Sequence, residues 1–70
     1  QPLDYGDIMR ILKPVRGNAR YDLIQQLSKQ KRLPQSLTTD QMLSIIGNSS
    51  YYSKAVGIML ERLPTPLDYD

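Results

Sequence analysis

The chain has 70 residues, nine Lys or Arg against seven Asp or Glu for a net charge of +2, and neither cysteine nor histidine. That length admits one domain, whose single core rarely supplies more than about 3–5 kcal/mol, and the missing Cys and His exclude a disulfide framework or a Cys/His zinc site as reinforcement. The charge is too small for a strongly basic nucleic-acid face, and the longest apolar run, Ala55-Val56-Gly57-Ile58-Met59-Leu60, falls far short of the about 20 residues of a membrane span.

Ile8, Ile11, Leu12 and Val15 fall at i, i+3, i+4 and i+7, which places them on one helical face. A helix over about 5–13 follows, with Asp4 as N-cap, Asp7 in the positive first turn and Pro14 disfavouring helical geometry at Lys13. Gly17-Asn18 reads as a turn, with Asn18 capping a second helix over about 19–30 that carries Leu23, Ile24 and Leu27. Lys29, Lys31 and Arg32 suit that helix's negative end, and Pro34 stops it. Thr38-Thr39-Asp40-Gln41 fits a capping box, opening a helix over about 39–46 that buries Met42, Leu43, Ile45 and Ile46 and closes at Gly47. Ser49 and Ser50 are capping candidates for a fourth helix over about 51–62, its stripe being Tyr52, Val56, Met59 and Leu63, with Ala55 and Leu60 beside them. Gly57 inside it costs about 1 kcal/mol against alanine, which points to a close backbone approach. Pro64 and Pro66 end regular structure. No segment alternates as a strand does. The expected architecture is all-α: one domain over residues 1–70, a compact bundle of four short helices arranged as two helix-turn-helix pairs.

An internal repeat overlays this pattern. Arg32-Leu33-Pro34-x-x-Leu37 recurs as Arg62-Leu63-Pro64-x-x-Leu67, and Pro2-Leu3-Asp4-Tyr5 recurs intact as Pro66-Leu67-Asp68-Tyr69. Helix pairs that cannot bury their faces alone gain stability by stacking, so the recurrence admits a longer array with a third unit opening at Asp68-Tyr69-Asp70. Coincidence of common helix punctuation competes with this reading, because Pro and Asp at helix entries are expected anyway. Gln1 at the start fits a processed or excised fragment, and no compartment is assigned.

The order of two helix pairs, with Thr38-Thr39-Asp40-Gln41-Met42-Leu43 opening the second and Leu63-Pro64-Thr65-Pro66-Leu67-Asp68 closing it, resembles a small helical domain of unknown function found in secreted or envelope proteins, chiefly bacterial. The resemblance spans most of the chain and implies no catalytic site.

Catalytic constellations are sparse. General acid–base work at neutral pH usually recruits histidine or enclosed carboxylates; Asp4 and Asp7 are near each other but belong to a first helical turn. Ser28-Lys29-Gln30-Lys31 matches a bare serine-x-x-lysine pattern with none of that class's companion motifs. The acids lack the alternating spacing of a calcium loop, and the four glycines are too isolated for a phosphate cradle. Catalytic, cofactor-binding and metal-ligating residues are therefore all read as none, with no cofactor and no small-molecule substrate. Lys13/Arg16/Arg20 and Lys29/Lys31/Arg32 sit at helix ends, where solvated cations stabilise the fold without a partner. Asn48-Ser49-Ser50 spells a glycosylation acceptor that has meaning only in a eukaryotic secretory protein.

The aromatic residues are five tyrosines without Phe or Trp, and tyrosine suits half-wet positions, whether a core's edge or a binding rim. The candidate partner-binding surface is Tyr5, Tyr21, Tyr51, Tyr52 and Lys54. The leading reading is a non-catalytic protein–protein interaction or structural module whose partner is another protein or a further copy of itself. The alternative is a helix-turn-helix DNA-binding domain in which helix three, the Gly47 turn and helix four form the motif, with Tyr51, Tyr52 and Lys54 facing the groove. Helix four holds only Lys54 and Arg62 as cations, which weakens that alternative because phosphate contacts supply most affinity.

Overall fold

The computed structural model describes residues 2–62. Among them lie four helices, α1 (Tyr5–Leu12), α2 (Gly17–Lys29), α3 (Thr39–Ile46) and α4 (Tyr52–Leu60), and no strand beyond one isolated bridge. The all-α bundle of two helix-turn-helix pairs is thus present. None of these helices is long and apolar enough to cross a membrane.

Two helix starts follow their local chemistry. Asp4 accepts the Asp7 backbone N–H at 2.8 Å and opens α1. The capping box of α3 is complete: the Gln41 N–H donates to Thr38 Oγ1 at 3.1 Å, and the Thr38 N–H donates to Gln41 Oε1 at 3.0 Å. The other two starts differ from expectation. Helix α2 begins at Gly17, not 19; its N-cap is Arg16 without a side-chain bond, and Asn18 lies exposed inside the first turn. Helix α4 has Tyr51 as N-cap in the left-handed conformation, and neither Ser49 nor Ser50 caps it. The Ser49 hydroxyl instead donates to the Ser50 carbonyl at 2.7 Å. The reason is tertiary: the Gly17 N–H donates to Asn48 O at 3.0 Å, and the Ser50 N–H donates to Gly17 O at 3.1 Å, so the two inter-helix turns are stitched together. Both helix entries bend to make that stitch.

Helix α1 packs on α3, α2 on α4, and α3 also on α2 and α4. At the end opposite the stitched turns, the Leu3 N–H donates to Arg32 O at 2.8 Å and the Leu37 N–H to Arg62 O at 2.6 Å. Each pair is closed by a bond from the residue before its first N-cap to the segment after its second helix. Helix α2 stops where Lys31 turns left-handed at φ 59°, with the Lys31 N–H on Ser28 O and the Arg32 N–H on Leu27 O.

The core joins Ile8 and Leu12 of α1, Ile24 and Leu27 of α2, Met42, Ile45 and Ile46 of α3, and Ala55 and Met59 of α4, with Leu33 and Leu37 from the linking segment. Several expected core positions are wet. Ile11, Leu43, Tyr52 and Leu60 are exposed, and the inward line of α4 is the narrower Ala55–Met59 pair. Gly57 is exposed, and among the described residues nothing lies within 4 Å of where a Cβ would sit, so no described backbone approaches it. Leu63, Pro64 and, apart from Arg62, the second copies of both repeat motifs lie outside the described residues.

Candidate partner-binding surface

The C-termini of α1 and α3 and the N-termini of α2 and α4 meet at the stitched end, which we call the turn end. Arg20 organises it. The sequence places Arg20 in a solvated basic group, but the residue is only 6% exposed. Its Nε donates to Ile45 O at 2.9 Å and its Nη2 to Ser44 O at 2.8 Å, while Nη1 reaches Leu12 O at 3.2 Å and Val15 O at 3.1 Å. The last carbonyls of a helix lack intrahelical partners and carry the negative end of its dipole. One guanidinium therefore caps α1 and α3 together. Burial pushes its pKa down from the ordinary arginine value, yet an arginine remains charged at any working pH.

The signal for Arg20 was in the spacing, since Arg20, Ile24 and Leu27 fall at i, i+4 and i+7, all three buried. A cation on an apolar stripe implies acceptors facing it. Gly47 belongs to the same device: it sits at φ 47°, and a Cβ there would lie 3.0 Å from Arg20 Cζ and Nη2. The glycine required by a close approach is thus Gly47, not Gly57, and what approaches is a side chain.

Around this clamp the structure gathers part of the expected surface. The Tyr21 and Tyr51 rings are 5.1 Å apart, tilted by 55°, and Lys54 Nζ lies 5.5 Å from the Tyr51 ring centroid. Tilted aromatic pairs at this separation and a cation over a ring face are both favourable arrangements. Tyr51 and Tyr52 are 55% and 50% exposed, whereas Tyr21 is half-buried against the core. Tyr5 is not part of the group: it starts α1 at the opposite end and packs half-buried on the core. Lys13, Arg16, Lys29, Lys31 and Arg32 are all exposed.

A shallow groove of about 540 Å³ lies at the opposite end, lined by Pro2, Lys31, Leu33, Gln35, Glu61 and Arg62. Its polar side chains Lys31, Gln35 and Glu61 are exposed, so water competes for each of them. Among the described residues no group of three His, Cys, Asp or Glu side chains could hold a metal ion. No family model matches the chain, and neither a curated protein nor a solved structure matches it.

Proposed function

We propose that this chain is a non-catalytic protein-binding module that recognises another protein through Tyr51, Tyr52 and Lys54 at the turn end. The observation that carries the reading is Tyr51, a bulky residue held at φ 54°, ψ 51° while more than half of its surface faces water. A left-handed tyrosine costs roughly 1–2 kcal/mol, which a glycine at the same position would avoid. The Ser50–Gly17 bond sets the turn, and an exposed aromatic kept at its left-handed position, where glycine would be unstrained, points to use of the side chain. The support beneath it is stiff, because Arg20 ties α1, α2 and α3 together directly behind the turn. Rigid aromatic anchors bind at low entropic cost, which is why tyrosine is enriched where interfaces concentrate their energy.

A photo-crosslinker installed at position 52 in the native host tests this. It is expected to trap a discrete protein, and the adduct is expected to vanish when Tyr51→Asn is added. A crosslinker at position 40, in the first turn of α3 at the other end, serves as control. Identical adducts from positions 52 and 40 would sink the assignment. A salt-dependent gel shift with duplex DNA, lost in Lys54→Glu, would replace it with helix-turn-helix DNA binding.

A further inference from the structure

Equivalent positions of the two helix pairs differ in exposure in a regular way. Adding 34 to a residue number in α1 gives its counterpart in α3: Ile8 to Met42, Met9 to Leu43, Ile11 to Ile45, Leu12 to Ile46. The first and last are buried in both helices. The flanking positions trade places. Met9 is half-buried against the core while Leu43 is 46% exposed, and Ile11 is 40% exposed while Ile45 is 0% exposed.

Each helical residue advances about 100° around the axis, so Met9 and Ile11 lie on opposite flanks of the line through Ile8 and Leu12. Helices α1 and α3 are direct neighbours whose C-termini Arg20 holds together, so they run side by side in the same direction. A dry Met9 flank on α1 and a dry Ile45 flank on α3 are what two parallel neighbours show when one is a shifted copy of the other. The second pair is thus related to the first by a translation, and a translation does not close on itself. It leaves the Ile11 flank open on one side of the bundle and the Leu43 flank open on the other. Leu60 of α4, 52% exposed, is another large apolar side chain that the second pair leaves wet.

We propose that the Leu43 flank of α3 receives the Ile11 flank of α1 from a second copy of this unit, repeating the contact that α3 makes with α1. The occupant is argued from the sequence as well as the geometry. Pro66-Leu67-Asp68-Tyr69 repeats the tetrapeptide Pro2-Leu3-Asp4-Tyr5 that leads into α1 and supplies its Asp4 cap. Contacts of this head-to-tail kind extend into open stacks, and stacked helix pairs couple their stabilities through nearest-neighbour interfaces. This inference stands apart from the tyrosine surface, since Leu43 and Ile11 take no part in the contacts at Tyr51.

Two full chains joined so that Pro66-Leu67-Asp68-Tyr69 of the first serves as Pro2-Leu3-Asp4-Tyr5 of the second make the contact intramolecular. Urea unfolding followed by circular dichroism is expected to show one transition at a higher midpoint than the single chain, with a slope about twice as large. Leu43→Glu in the first copy, at the junction, is expected to return the midpoint and slope to single-chain values. The same substitution in the second copy, where that flank is terminal, is expected to leave the transition unchanged. Single-chain midpoint and slope for the joined protein, or equal effects of Leu43→Glu in both copies, would overturn the proposal. Neither result depends on whether position 52 crosslinks a partner.

Discussion

Arg20 shows how one side chain can replace several small devices. Its three nitrogens satisfy carbonyls near the ends of two helices, and no carboxylate is needed because the acceptors already carry the dipoles' negative charge. The planar fork is what allows this, so charge alone is insufficient. Arg20→Lys is expected to lower stability by about 2 kcal/mol, measured by urea unfolding. A loss no larger than at an exposed cation such as Lys13 would show that the fork carries nothing. Gly47→Ala attacks the same device from the backbone side. It combines a positive φ with a Cβ 3.0 Å from the guanidinium, and is expected to destabilise by about 2 kcal/mol or more. The thermal midpoint, by circular dichroism, checks it.

The helices divide by where their start signals come from. Helices α1 and α3 are opened by Asp4 and by the Thr38–Gln41 box, each within a few residues of the helix it serves. Helices α2 and α4 start where the Gly17–Asn48 and Ser50–Gly17 bonds require, and both lack a side-chain cap. At Asn18, Ser49 and Ser50 the local preference for capping yields to a contact between distant turns. Gly57 is the opposite case, a glycine inside α4 with open space around it. Gly57→Ala is expected to stabilise the protein by about 0.5–1 kcal/mol. A destabilised variant in a urea melt would mean that the position is held for a contact that the described residues do not make.

For the whole molecule the margin is thin. A core of this size supplies about 3–5 kcal/mol, and no disulfide reinforces it. Ile45 is a fully buried member of the core, and its own carbonyl accepts from Arg20. Ile45→Ala is expected to cost about 2–5 kcal/mol, enough to abolish a cooperative thermal transition of the single chain. In the joined two-copy protein, the same substitution in one copy is expected to leave a measurable transition, because the neighbouring unit lends its interface. Calorimetry on both forms distinguishes the two outcomes.

The amino-acid order by itself determined the class of the fold and the existence and sequence of its four helices. Apolar spacing near 3.6 residues and short-range caps act within one or two turns of chain, and α1 and α3 carry both signals in full. Of the candidate surface Tyr5, Tyr21, Tyr51, Tyr52 and Lys54, the fold brings Tyr21, Tyr51 and Lys54 into contact and leaves Tyr5 at the other end. Only the tertiary structure decided which flank of each helix is dry, because Ile11 and Ile45 look alike in sequence and differ only in having a neighbour. Likewise, whether Arg20 meets water or two helix ends depends on α3 arriving beside α1. Burial is a property of what packs against a residue, and that partner lies far away along the chain.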